Sequence, residues 1–362
     1  MHLHQGLDTT ATLCWDVPGS SVYLEAAHAT LPCHDALWEA PTAEVWAALF
    51  SGSSLPAPGL TTMHALHALA DRTQHGSEAL RGVRSDGFAM TLLLGIVHAI
   101  GWLKAHEEEV TALFLPQAKG WGDGGKAAVA GDALEAAWEF YQERVVLPAE
   151  VQRGLVGQVQ VGPAVGLSLM LHLTAVTTRL PLRLLQPLAR PAGAVSSAAS
   201  IAHLDALRMW AASSNGQLAR RTAYHAGQLL ELANYRTSPA ATSGQPLEPF
   251  ALFYGALALI AFLRFAAAQE ALKPLEVKEE DVKMGEVLWL DRLVGPDDDA
   301  LAEWVADGAG EVGLKGVGAL GGVDREAVAK RLLVAVGERL KRGEVWGVGK
   351  GLGETLLRMA EA

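Results

Sequence analysis

At 362 residues, half of them apolar and 19% charged, with 29 Lys plus Arg against 40 Asp plus Glu, the chain has a globular composition and a net charge of −11. That mixture excludes intrinsic disorder, and the absence of a long basic stripe excludes a surface built to neutralise DNA phosphates. Two cysteines, Cys14 and Cys33, cannot staple a chain of this size, which excludes a disulfide scaffold and fits a reducing compartment.

The N-terminal MHLHQGLDTT lacks the basic start and apolar run of a signal peptide. Residues 1–30 read as an irregular segment, with a turn at Pro18-Gly19-Ser20-Ser21. From residue 31 onward the chain reads as one helical domain. Pro41 suits a first helical turn, and residues 42–50 continue as a helix. A Gly/Ser/Pro linker covers 51–60, and Thr61 or Thr62 caps a helix running to about Gln74. A long helical pattern spans 88–115, and a glycine-rich link at 120–125 precedes an amphipathic helix over 127–145.

Further helices are expected over 164–178, 197–213, 217–235, 248–271, 299–307, 324–342 and 346–361. Val156 to Val161 is the best short strand candidate, and no repeat period emerges. Residues 88–103 and 250–263 are apolar, but each falls short of the about 20 residues a membrane span needs, so both read as core helices. The fold class expected is all-α, a multi-helix single domain.

Several patterns could carry chemistry. His64, His67 and Asp71 share a helical face and offer nitrogen and oxygen ligands for Zn²⁺, or a general-base histidine for acyl transfer. A fourth metal ligand is lacking, and Arg72 stands where the acyl-transfer motif has Gly, so these residues read as structural or solvated. Asp297-Asp298-Asp299 invites comparison with the Mg²⁺-binding motif of helical isoprenoid synthases. It follows Gly295-Pro296 in a turn and reads instead as the cap and first-turn acid of the next helix.

Gly316-x-Gly318-x-x-Gly321 matches a dinucleotide fingerprint as a string, but its surroundings read as helical, with Asp324 capping the helix that follows. The stretch 343–350 misses the Walker spacing, and Tyr224-His225 lies mid-helix as a buried pair. Arg220-Arg221 and Lys341-Arg342 read as local positives in otherwise balanced helices. No catalytic constellation emerges, and no cofactor or metal is expected in this chain.

Leu31-Pro32-Cys33-His34-Asp35-Ala36-Leu37-Trp38-Glu39-Ala40, followed by Ala43-Glu44-x-Trp46, resembles the signature of the fungal-specific transcription factor domain, also called the middle homology region. In that family a Leu-Pro-Cys turn leads to a Leu-Trp-x-Ala step and a Trp-bearing helix. Trp38 and Trp46 would then dock as large apolar anchors, their indole N–H groups fixing one packing. Tyr224-His225-Ala226-Gly227-Gln228-Leu229-Leu230 resembles the family's helix with a His-Ala-Gly core step. The stretch from Glu248 to Leu257 resembles its next buried helix, and that from Leu332 to Gly349 its terminal helix pair.

The structural motif residues are therefore Leu31, Pro32, Cys33, Leu37, Trp38, Trp46 and His225. The resemblance implies a nuclear regulatory domain controlling RNA polymerase II transcription. It would act through transcription machinery or co-regulator proteins, or through a small-molecule effector held between helices, with homodimerisation as a further option and no membrane partner. Family members usually carry a zinc module, either Cys2His2 fingers or a six-cysteine cluster. Two cysteines without Cys-x-x-Cys can build neither, so zinc and DNA reading are expected only from a module outside these residues. Two rivals stand beside it: a helical enzyme of the isoprenoid or acyl-transfer type, and an interaction scaffold without a ligand.

Overall fold

The structure, a computed structural model, describes residues 30, 37, 40–52, 60–62, 64–65, 68, 92–93, 95, 162–190, 197–212, 216–234, 247–266, 287–291, 299–308, 310–320, 324–342 and 347–361. The described residues are 81% helical, which makes the fold all-α. The chain forms two compact units, Met1–Thr174 and Ala175–Ala362, where a single domain from residue 31 was expected. The expected irregular segment before Thr30, the 127–145 helix and the 156–161 strand lie outside the described residues.

In the first unit, α1 (Ala43–Gly52) begins where Thr42 accepts the Val45 N–H on its hydroxyl at 3.3 Å. Its Trp46 and Phe50 rings stack one turn apart, with centroids 4.9 Å apart. Trp46 is 42% exposed, so the burial expected of it as an anchor is not found. Val45, Trp46 and Phe50 are all exposed, and the indole stacks on Phe50 one turn along the same helix. Trp46→Ala should therefore cost under about 1 kcal/mol in denaturant melts, against the roughly 3–5 kcal/mol of a buried Trp.

Leu37 is buried, and Trp38 lies outside the described residues. Thr61 is the cap of the next helical turn, its hydroxyl receiving the His64 N–H at 3.3 Å. Thr62, Ala65, Ala68, Leu92 and Leu93 are buried. Helix α2 (Gly162–Arg179), whose residues from Ala175 onward belong to the second unit, holds an unbroken buried run over 169–177. A helix apolar all round belongs in a core.

In the second unit, Pro181 starts the short α3 (Leu182–Leu185), which tightens into a 3₁₀ turn over Gln186–Ala189. Then follow α4 (Ser197–Ala212), α5 (Gln217–Asn234) and α6 (Glu248–Ala261). Helix α6 is the hub. Every residue over 251–261 is buried, and it packs against α5 and the terminal pair α8 (Arg325–Arg342) and α9 (Val348–Glu361). The run Glu248–Ala266 is long and apolar enough to cross a membrane, but 78% of its most apolar window is buried inside the fold. It ends in a π-helical turn, Phe262–Ala266, which Arg264 ties to α8 through Glu326 at 2.6 Å.

Helices α8 and α9 close tightly because each brings a glycine to the crossing. A Cβ on Gly353 would stand 2.6 Å from the Gly337 carbonyl oxygen. Asp324 caps α8 as expected, accepting the Ala327 N–H at 2.9 Å.

The largest departure from the sequence reading is a small three-stranded sheet of order β1-β2-β3. Strand β1 (Leu288–Trp289) runs parallel to β2 (Val312–Leu314), and β2 pairs antiparallel with β3 (Gly318–Ala319). Parallel neighbours need a crossover, and α7 (Asp299–Asp307) lies in the connection. Two glycines of the dinucleotide-like string thus sit in a hairpin and not among helices: Gly316 (φ 75°) and Gly318 (φ 112°) take left-handed backbone at the β2–β3 turn, while Gly321 lies outside the described residues. Asp299 is the first-turn acid of α7, as expected, while Asp297 and Asp298 lie outside the described residues.

Candidate functional site

Among the described residues, the most developed polar cluster lies where α5 meets this sheet. Gly227, Gln228 and Glu231 fall within little more than one turn of α5, so their positions project toward one side of the helix. Against that side lies the turn leaving β1. Leu290 sits directly over Gly227, where a Cβ would be 2.7 Å from the Leu290 carbonyl oxygen. The Gln228 amide donates to that same oxygen at 2.8 Å. A helix can carry a strand end at this distance only where it has no side chain.

Asp291 comes next, and it is buried. Its two carboxylate oxygens accept the backbone N–H of Lys315 at 3.0 and 2.9 Å. Lys315 opens the β2–β3 turn, and its ammonium donates to the Asp291 carbonyl at 3.0 Å and reaches Glu231 Oε1 at 3.3 Å. The lysine side chain is half exposed, whereas that of Glu231 is 10% exposed. Burial raises the Asp291 carboxyl above the usual carboxylate range; the Lys315 N–H, the Asp291 backbone N–H and the Lys315 ammonium oppose this, and Glu231 adds to the rise. Chemically this is a clamp: one ammonium bridges two acidic positions, and a carboxylate holds a turn through its amide. Both Asp291 carboxylate oxygens are engaged by that amide, and the ammonium joins the Asp291 backbone carbonyl to the Glu231 carboxylate.

A second buried charge sits on the same helix. Arg220, one of the local positives noted in the sequence, is 1% exposed. Its guanidinium donates to the Val305 and Ala306 carbonyls at 2.9 and 2.8 Å, closing the C-terminal end of α7. Cations are favoured at that end of a helix, where carbonyls lack partners. Trp304, one turn from the end of α7, is buried edge-on against Phe262, with centroids 6.0 Å apart.

Of the residues singled out from sequence, His225 is buried on α5 beside the Tyr224 ring at 5.4 Å, and Leu37 is buried in the first unit. Leu31, Pro32, Cys33 and Trp38 lie outside the described residues, as do His67 and Asp71. His64 Nδ1 lies 2.8 Å from the Thr61 hydroxyl. Among the described residues, no group of three or more His, Cys, Asp or Glu is placed to hold a metal ion.

Asp291, Glu231, Gln228 and Lys315 were missed by the sequence reading. The one available signal was Gly227 in the middle of a strongly helical pattern, since such a glycine costs about 1 kcal/mol unless something must approach closely.

One further buried group sets a pH response. Burial pushes His172, fully enclosed on α2, down to about 3. Its pKa is depressed on folding, so the unfolded chain binds a proton below about 6.5 that the folded chain refuses. Stability is complete above that pH and falls as pH drops toward 3. Between pH 6.5 and 5 the loss should be about 2 kcal/mol. Asp291 acts in the opposite sense: its raised pKa adds stability on acidification through the range between its unfolded and folded values. Denaturant melts across that interval check this, and His172→Leu should flatten the slope. A slope unchanged by that substitution would contradict the assignment.

No family model, curated protein or solved structure matches the chain.

Proposed function

We propose that the chain is a regulatory domain of a fungal transcription factor, acting on RNA polymerase II transcription in the nucleus through protein interaction or effector sensing. The observation that supports it most is the place of the His-Ala-Gly step. In the resembling family this step is a core feature of its helix. Here His225 and Ala226 are buried, and Gly227 is the seat on which the β1 turn rests. The all-helical fold and the buried α6 that follows are consistent with it. Partners are transcription machinery or co-regulator proteins, and zinc belongs to a DNA-reading module outside these residues.

The effector-sensing form has support of its own. His203 Nε2 and Trp210 Nε1, two turns apart on α4, are both buried and meet no hydrogen-bond partner among the described residues. Each such atom costs about 1–3 kcal/mol, a cost that a polar ligand between the helices would relieve.

The test is a tethering assay. The full chain is fused to a heterologous DNA reader in a fungal host, and a reporter bearing that reader's site is measured. A severalfold change in output over the reader alone is expected, in either direction. Output equal to that of the reader alone would contradict the proposal.

A further inference from the structure

The outer face of α4 carries a pattern that its inner face does not explain. Leu207, Trp210 and Ala211 point into the fold and are buried. On the opposite side, Ile201, Asp205, Arg208 and Ala212 follow one another at helical spacing along a single line, and all four are exposed. Ile201 is 60% exposed, and Met209 and Leu204, flanking the line, are 69% and 36% exposed. Asp205 and Arg208 form an ion pair at 2.8 Å at its centre, with both side chains more than half exposed.

We infer that this face pairs with the same face of a second copy of the chain, the two α4 helices running antiparallel about a two-fold axis between Ala206 and Leu207. The line is self-complementary under that operation. Asp205 comes opposite Arg208 of the second copy, and Ile201 comes opposite Ala212, an acid on a base and a large side chain on a small one. A two-fold interface requires one patch to match itself in this way, and a parallel pairing would set Asp205 against Asp205. An ion pair already formed within each helix becomes a four-charge square, for which no long side chain needs a new position. The patch spans one helix of 16 residues, about 24 Å at 1.5 Å per residue. That places it at the small end of specific interfaces, so the dimer forms in the micromolar range and depends on concentration.

Sedimentation velocity of the full chain from about 1 to 100 μM tests it. The wild-type mass should rise toward twice the monomer. Asp205→Arg and Arg208→Asp should each remain monomeric, because each places like charges across the axis. An equimolar mixture of the two should regain the dimer, since one copy then presents two arginines and the other two aspartates. Helicity by circular dichroism identifies a variant that has not folded; Ile201→Glu, which keeps the ion pair, then takes its place with the same expected loss. A wild-type chain that stays monomeric throughout, single reversals that dimerise like wild type, or a folded mixture that stays monomeric would each overturn the inference.

Discussion

Gly227→Ala is expected to destabilise the second unit by about 2–3 kcal/mol, and Gly227→Val by more. In an ordinary exposed helix the alanine change would stabilise by up to about 1 kcal/mol, because glycine is the poorer helix former. Here the sign reverses. The added carbon would stand 2.7 Å from the Leu290 oxygen, 2.8 Å from its Cβ and 2.9 Å from its carbonyl carbon. Two of those atoms are backbone, so no side chain can swing aside. The β1 turn would lift from α5, and the Gln228 bond to Leu290 and the Lys315 contact with Glu231 would go with it. Gly351 in α9 supplies the control. Nothing lies within 4 Å of a Cβ there, and Gly351→Ala should stabilise by roughly 0.5–1 kcal/mol. Denaturant midpoints of the two alanine variants should move in opposite directions.

Arg220→Met should cost about 3 kcal/mol. The methionine keeps most of the buried stem but removes the donors to the Val305 and Ala306 carbonyls. Hydrogen bonds from a charged donor contribute about 1.5–3 kcal/mol each, and an acceptor left dry costs its desolvation. Arg220→Lys should recover less than half of the loss, because an ammonium on a shorter stem cannot hold two successive carbonyls in the fork that a guanidinium provides. Hydrogen exchange would localise the effect: amides near the end of α7, around Trp304, should exchange faster in the Met variant, while those of α9 keep their protection.

Long periodic helices were legible in the sequence because each has an apolar face long enough to fix its phase. Residues 197–213 were expected and α4 runs Ser197–Ala212; 217–235 were expected and α5 runs Gln217–Asn234; 299–307 were expected and α7 has those bounds. Caps at Thr61 and Asp324 were legible for the same kind of reason, a small polar residue just before the pattern begins.

The sheet was not legible. Strands of two or three residues contain at most one and a half periods of alternation, and glycines at 313, 316 and 318 hide what little there is. Trp46 was misjudged because an indole says how much it could bury, not whether a neighbour arrives to cover it. The burial of Arg220 was not legible because its partners are carbonyls some eighty-five residues later, and backbone acceptors leave no mark in sequence. The Asp291 clamp was hidden for a related reason, since its donor is the amide of Lys315.

Under the proposed regulatory role, output is expected to depend on the fold seated at Gly227. The most direct measurement compares, in the tethered reporter, the wild-type chain with Gly227→Val and Gly351→Ala at matched protein level. The expected result is an effect on transcription from wild type and from Gly351→Ala, and its loss in Gly227→Val. An output from Gly227→Val equal to wild type, or a wild-type output equal to that of the reader alone, would contradict it.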